Sequence, residues 1–175
     1  MRTGASVLEP VPDMLLAKLT RRALVAAILA LPAAAAPAQS HLTAADNLAA
    51  TGRAAAARRV PVMIVFTETT CSYCATAKTG FLVPLQAHGP FADKVILREV
   101  DVQSDRRMRD FDGRATTHRE YARRRSVRRV PTVMVLDARG QPLSEPIVGL
   151  MGPDFYRLYL EQAIEEGLFK LRAKR

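Results

Sequence analysis

The sequence is poor in the residues that build covalent or metal frameworks. Its 175 residues include no tryptophan, two cysteines and three histidines. Two cysteines exclude the network of disulfides that holds many small secreted domains together. A zinc site needs four ligands, and His41, His88 and His118 have no recognisable ligand spacing, so a metal site is the weaker alternative and none is predicted. With 49% hydrophobic and 25% charged residues, the composition is typical of a globular protein.

Acidic residues are in the minority. Lys and Arg number 26 against 17 Asp and Glu, a formal net charge of +9. Such a charge favours acidic partners or anionic surfaces and says nothing about the fold. The segment 103–129 is rich in arginine, and we interpret Arg123, Arg124 and Arg125 either as a solvated helix face or as a docking surface for an acidic partner or an anionic membrane. Nucleic acid is the least favoured partner because aromatic residues are not interleaved with the arginines.

The first part of the chain has the pattern of a secretory signal peptide. A positively charged stretch at 18–22 precedes the apolar run 23–31, and Ala36-Pro37-Ala38 supplies the small residues of a cleavage site. We therefore predict a signal peptide over residues 1–38 and a mature domain over 39–175. An uncleaved membrane anchor is the alternative, but the apolar run is short for a membrane span.

The patterns of apolar and turn residues predict the element order α-β-α-β-α-β-β-α. These elements are a helix 42–58 capped by Ser40, strand 60–67, a helix from the second cysteine to Ala87, strand 94–102, helix 116–125, strands 130–136 and 142–148, and helix 154–172. Alternating β and α units predict parallel strands, with an antiparallel edge added by the final hairpin. Pro84 should kink or restart its helix. The last helix is predicted to bury Phe155, Leu158, Tyr159, Ala163 and Leu168.

The two cysteines lie three positions apart, in Cys71-Ser72-Tyr73-Cys74. A disulfide that closes so short a loop stabilises little through chain entropy, which favours chemistry over a structural role. Cys71 is expected at the start of a helix, where free N–H groups and the helix dipole favour a thiolate. We predict that Cys71 is the nucleophile and that Cys74, one turn later and more buried, is the resolving thiol. An inert disulfide is the alternative, and Ser72 and Tyr73 are expected to tune the pair.

Several motifs in order resemble the thioredoxin superfamily. A buried strand leads into the cysteine motif, a later strand ends at Asp101, and Val130-Pro131-Thr132 and Val148-Gly149 follow at the expected places. The resemblance extends over roughly 44–168 and is most similar to exported bacterial thioredoxin-like proteins of the SoxW kind. It implies an α/β thioredoxin fold, with a mixed four-stranded sheet flanked by helices and an extended basic helical segment before the cis-proline strand.

The resemblance also implies roles for individual residues. The Val130–Pro131 bond would be cis and would pack against the disulfide, and the segment Val130 to Thr132 would bind an incoming peptide as an added strand. The sequence departs from thioredoxin where Thr70 replaces the usual tryptophan and Val65 replaces a buried aspartate. Glu68 is then either a substitute proton acceptor or a solvated loop residue. Lys78 is expected to be a surface charge.

Together these observations predict an exported, periplasmic thiol–disulfide oxidoreductase acting on protein cysteines, with reduction the favoured direction. The resemblance implies a membrane electron donor. We also expect a monomer with no cofactor beyond the redox-active disulfide Cys71–Cys74. The alternative function is a binding or assembly module in which that disulfide is passive structure. Single Cys→Ser substitutions would separate the two hypotheses.

Overall fold

The computed structural model describes residues 41–87, 90–150 and 152–173. The signal peptide predicted over 1–38 and the helix cap predicted at Ser40 lie outside these ranges. In chain order the described elements are α1 (Leu48–Arg58), β1 (Val62–Thr67), α2 (Ser72–Ala77), a π-helical turn (Lys78–Leu82), α3 (Val83–Ala87), β2 (Ile96–Asp101), β3 (Arg107–Arg109), β4 (Ala115–Thr117), α4 (His118–Arg124), β5 (Thr132–Leu136), β6 (Ile147–Val148) and α5 (Pro153–Ala173).

A four-stranded sheet in the order β2-β1-β5-β6 forms the centre of the fold. Every residue of β1 is buried, as its continuous apolar run predicts for a strand covered on both faces. The predicted α/β class, with a mixed four-stranded sheet flanked by helices, is confirmed. The predicted edge strand 142–148 is shorter than expected, because only Ile147 and Val148 join the ladder and Pro142 makes an isolated bridge to Leu136.

The direction of β5 differs from the prediction of parallel strands. β2 runs parallel to β1, but β5 runs antiparallel to it, with Thr132 opposite Phe66 and Leu136 opposite Val62. The reason lies in the residues before β5. The Arg125 guanidinium donates to the carbonyl of Gly140, which lies near the end of the sheet where β1 begins. The chain therefore returns along the sheet to the other end before β5 begins.

The first described helix begins later than predicted. Asn47, whose side chain accepts the N–H of Ala50 at 2.9 Å, caps α1. The residues before it do not continue the helix but pair with the edge of β2: Ala45 donates to the Glu99 carbonyl, and Glu99 donates to the Thr43 carbonyl. An edge strand has free N–H and C=O groups, and covering them decides the conformation of this segment.

The helix that follows the cysteines is interrupted ahead of Pro84, as its sequence predicts. Proline has no N–H to donate within a helix. Between α2 and α3 the chain widens into the π-helical turn, where the Val83 N–H donates to the Lys78 carbonyl five residues earlier. The turn lets the helix continue to Ala87 around the missing donor.

The buried face of α5 agrees with the predicted stripe at Ala163 and Leu168 and differs from it at the other three positions. Phe155, Leu158 and Tyr159 are 59%, 56% and 39% exposed. The residues that do pack on the core are Tyr156, Leu160, Ala163, Ile164 and Leu168. The helix has two apolar stripes at helical spacing, and the sheet contacts the stripe next to Gly167, where an added Cβ would lie 3.0 Å from a Val135 methyl group.

The arginine-rich segment 103–129 contains more secondary structure than the single helix that was predicted. It contains α4 and also a small antiparallel hairpin, in which β3 pairs with β4.

Across the described ranges, no helix has both the length and the apolar character needed to cross a bilayer.

Candidate active site: the Cys71–Cys74 pair

Cys71 lies just beyond the carboxyl end of β1, at the N-cap of α2. Its backbone is extended, with φ −86° and ψ 110°, and its N–H donates to the Glu68 carbonyl to close the turn after the strand. The Sγ of Cys71 accepts the backbone N–H of Cys74 at 3.1 Å. A free N–H of the first helical turn therefore points at the sulfur, which is the arrangement that stabilises a thiolate.

The two cysteines form a disulfide with a Cα–Cα distance of 5.2 Å, and they differ in exposure. Cys71 is half-buried, whereas Cys74 is fully buried against the core. One sulfur can therefore be reached from solvent, and the other lies behind it.

The loop before β5 lies beside the exposed cysteine. The Cys71 Sγ lies 4.0 Å from the Val130 carbonyl oxygen. The Val130–Pro131 peptide bond is cis. The Pro131 carbonyl accepts the Gly149 N–H at 2.7 Å, and the Thr132 hydroxyl donates to the Arg129 carbonyl at 2.8 Å. The structure thus places Val130, in the segment predicted to bind a peptide, next to Cys71, the predicted nucleophile.

The predicted tuning residues are mostly exposed. Ser72 and Tyr73 are solvent-facing, Tyr73 with 66% of its surface exposed. The carboxylate of Glu68 accepts a hydrogen bond from the Thr70 hydroxyl at 2.9 Å. This hydrogen bond stays within the loop and does not involve either cysteine.

A charged cluster beside the motif was missed from the sequence. The Glu99 carboxylate on β2 accepts the Thr67 hydroxyl at 2.6 Å and pairs with the Lys78 ammonium at 3.0 Å. Lys78, expected to be a surface charge, is partly exposed and ion-paired, and its side chain connects the π-helical turn to β2. Lys78 follows Cys74 by four residues and so shares its helix face. No sequence pattern connects Glu99 with Lys78, since they come from different elements.

The loop before Cys71 is also connected to the end of β2. The Thr69 hydroxyl donates to the Asp101 carboxylate at 2.9 Å, and the Asp101 N–H donates to Nδ1 of His118 at 3.1 Å. Burial, followed by the positive charge of Arg106, lowers the pKa of His118. Among the described residues, no three side chains of His, Cys, Asp or Glu come together as a metal site.

A model of the thioredoxin-like domain matches residues 48–164, more than half of the chain. The chain belongs to this thioredoxin-like family. A DsbH oxidoreductase structure is 15% identical with a TM-score of 0.50, covering 81% of this chain and 98% of that chain. Oxidised thioredoxin O2 from Arabidopsis thaliana is 20% identical with a TM-score of 0.49, covering 71% of this chain and 96% of that chain. No curated protein sequence matches this one.

At 15% identity the similarity to the DsbH oxidoreductase structure concerns the fold alone. The C-terminal domain of DsbD from Neisseria meningitidis, in its oxidised form, is 19% identical with a TM-score of 0.45, covering 66% of this chain and 90% of that chain. In this chain the site comprises the Cys71–Cys74 disulfide at the start of α2 with the Glu99–Lys78 ion pair beside it.

Proposed function

We propose that this thioredoxin-like chain is an exported thiol–disulfide oxidoreductase that acts on protein cysteines through Cys71 and Cys74. The observation that carries the proposal is the asymmetry of the pair. Cys71 is half-exposed and its sulfur accepts an N–H at the start of a helix, while Cys74 is fully buried one turn later. Exchange requires a reachable sulfur to attack and a second sulfur nearby to resolve the mixed disulfide.

In the reducing direction both cysteines begin as thiols. The Cys71 thiolate attacks one sulfur of a substrate disulfide, the substrate S–S bond breaks, and the departing thiolate takes a proton. Cys74 then loses its proton and attacks the Cys71 sulfur, which forms the Cys71–Cys74 disulfide and releases the second substrate thiol. Two electrons and two protons pass to the substrate, and no cofactor is required. A membrane dithiol donor would reduce the pair again.

The backbone beside Cys71 suits a peptide substrate. The Val130 carbonyl lies against the Cys71 sulfur, and the Pro131 and Thr132 backbone continues from it into β5. An extended peptide that pairs with the Val130 backbone would bring its own cysteine to Cys71. Thr132, which was also predicted to bind the peptide, is already paired with Phe66 on one side and Val148 on the other and is not free to do so. Recognition through backbone atoms accepts many sequences, which suits an enzyme that acts on folded or partly folded protein partners.

Export, the reducing direction and the SoxW-like assignment are proposed from the sequence. The signal-peptide pattern over 1–38 supports export to a bacterial periplasm, where a pair without an electron supply stays oxidised, and we propose that the mature protein is a monomer there. A reductant there depends on a supply of electrons, hence the membrane donor. Sequencing the N-terminus of the exported protein should show Gln39 as its first residue, and an intact leader would overturn the cleavage prediction.

The decisive experiment is the equilibrium of the Cys71–Cys74 pair with a glutathione series, read by thiol alkylation. A reduction potential of about −270 mV would support a reductant, and one of about −120 mV would indicate an oxidant. The variant Cys74→Ser should accumulate mixed disulfides with partner proteins, whereas the matched variant Cys71→Ser should not. Unchanged function in both variants would favour a binding module with a passive disulfide.

A further inference from the structure

A cleft lined by arginine lies between the β3–β4 turn, α4 and the turn after β5. It has a volume of about 270 Å³. We define the arginine cleft by the residues Phe111, Arg114, Tyr121, Arg124, Arg125 and Arg139. The redox chemistry proposed above does not use it, and its β3–β4 wall belongs to the segment that is longer than the thioredoxin pattern.

Arg125 is the central residue of the cleft. Its half-buried guanidinium donates to the Tyr121 hydroxyl at 3.1 Å and to the Gly140 carbonyl at 2.7 Å. It also lies over the rings of Phe111 and Tyr121, 6.0 and 5.4 Å from their centroids. All of these partners are neutral, so the guanidinium is held in one place while its charge is not neutralised.

The walls of the cleft are built to keep this position. Asp110 accepts the Asp112 and Arg114 N–H groups and pairs with Arg124 at 3.2 Å, which fixes the β3–β4 turn to α4. At Gly140 an added Cβ would lie 2.7 Å from the Arg125 guanidinium and 2.6 Å from the Phe111 ring. The cleft is therefore a preformed site and not a loose group of surface arginines.

The charges of the cleft suit carboxylates. Arg114 already pairs with Asp112 at 3.3 Å and Arg124 with Asp110, so carboxylates of this chain occupy part of the site. The guanidinium of Arg139 has no ion-pair partner within the described part of the chain. Four guanidiniums thus face two carboxylates, and the surplus favours further carboxylates, which arginine binds with two parallel hydrogen bonds.

The cleft and the disulfide lie at opposite ends of the sheet. Gly140 lies in the turn that follows Leu136, and Leu136 is paired with Val62, the first residue of β1. Cys71 lies beyond the last residue of β1, at the other end. The length of β1, about 17 Å, lies between the two ends. A partner bound in the cleft would leave the disulfide open to solvent.

From this geometry we infer that the arginine cleft docks an acidic segment, a run of Asp or Glu side chains, on a partner protein. A concave site lined by guanidiniums fits carboxylates that project from a peptide segment better than it fits the plane of a bilayer. Docking away from the disulfide would hold the partner while Cys71 stays free for a substrate. The inference concerns binding alone and holds for the oxidised protein, so it stands or falls separately from the redox proposal.

The test is the binding of a fluorescein-labelled oligoglutamate peptide to the oxidised chain, followed by anisotropy. The double variant Arg114→Glu/Arg139→Glu should weaken binding at least about tenfold, because two attractive charges become repulsive. The matched control is Arg107→Glu/Arg172→Glu, which makes the same change in net charge at two exposed positions outside the cleft. This control should bind within about threefold of the unchanged protein. Equal thermal unfolding would show that both variants fold.

Three results would overturn the inference. An equal loss of oligoglutamate binding in the two double variants would assign the binding to net charge. Failure of the unchanged protein to bind oligoglutamate would show that the cleft does not dock an acidic segment. Finally, the unchanged protein would bind phosphatidylglycerol vesicles but not oligoglutamate, and the cleft variant would lose the vesicle binding. That result would assign the cleft to lipid.

Discussion

The sulfur of Cys71 lies 4.0 Å from the carbonyl oxygen of Val130, a residue 59 positions further along the chain. The sheet creates this proximity, because β1 delivers Cys71 to the same end at which β5 begins. The Cys71 sulfur and the backbone proposed to bind substrate are therefore positioned by the same sheet. Catalytic groups on loops gain precision when such a scaffold carries both of them.

The first prediction concerns the reactivity of the two thiols. In reduced single-cysteine variants at neutral pH, Cys71 (in Cys74→Ser) should react with iodoacetamide at least about tenfold faster than Cys74 (in Cys71→Ser). The reason is that Cys71 is half-exposed at a helix N-cap, whereas Cys74 is fully buried. In urea the two rates should become similar. Equal rates in the folded proteins would contradict the assignment of nucleophile and resolving thiol.

The second prediction concerns the ion pair between Glu99 and Lys78. Glu99→Gln should lower the free energy of unfolding by about 1 kcal/mol, because a half-buried carboxylate that accepts from both Lys78 and Thr67 is lost. The matched control is Glu166→Gln, which breaks an exposed pair with Lys170 on α5 and should cost less than about 0.5 kcal/mol. Urea unfolding measures both, and an equal cost would show that the Glu99 pair has no special weight.

Local patterns predicted much of this fold. The continuous apolar run of β1 predicts a strand buried on both faces, and the position of Cys71 after it predicts an N-cap. These predictions hold because each depends on neighbouring residues only. The loop beside Cys71 was different, because only the resemblance to the thioredoxin superfamily implied that Val130 and Pro131 lie there.

The failures have tertiary causes. Residues 43–45 pair with the edge of β2 instead of forming a helix, and a local pattern does not record that a distant strand has a free edge. On α5 two stripes had suitable spacing, and only the sheet distinguishes Tyr156 from Phe155. The strands β3 and β4 have three residues each and are too short to show an alternating pattern.

The third prediction concerns a buried hydroxyl. Tyr156 is fully buried, its hydroxyl has no hydrogen-bond partner among the described residues, and burial raises its pKa to about 12. Tyr156→Phe should therefore leave stability unchanged or raise it by up to about 1 kcal/mol. Tyr121→Phe is the contrasting variant, since it removes the bond from Arg125 and should cost about 1 kcal/mol. A loss in Tyr156→Phe as large as in Tyr121→Phe would reveal a partner for that hydroxyl.

The fourth prediction is a dependence of stability on pH through His118. Its pKa is lowered in the folded protein by burial and then by the charge of Arg106, so between that lowered value and about 6.5 the unfolded chain binds more protons. This contribution to stability is complete above pH of about 6.5 and is lost as the pH falls to the folded-state value. Protonation of Nδ1 would also break its bond from the Asp101 N–H.

The variant that tests this is His118→Asn, whose amide oxygen can replace Nδ1 as the acceptor. It should flatten the fall in unfolding free energy on the acid side of about pH 6.5, measured by urea unfolding across a pH series. The control is His41→Asn, at an exposed position, which should keep the slope of the unchanged protein. An unaltered slope in His118→Asn would assign the dependence to other groups.

The fifth prediction separates backbone strain from packing at Gly140. Gly113 and Gly140 have similar positive φ values, +82° and +78°, in the region that side chains with a Cβ rarely adopt. Gly113 has nothing within 4 Å of an added Cβ, so Gly113→Ala should cost only the conformational strain, about 1 kcal/mol. Gly140→Ala meets the Phe111 ring and the Arg125 guanidinium as well, and should cost about 1–3 kcal/mol more. Because that added methyl group displaces Arg125, Gly140→Ala should also weaken oligoglutamate binding, whereas Gly113→Ala should not. Equal unfolding free energies for the two variants would mean that the cleft yields to the methyl group and is not preformed.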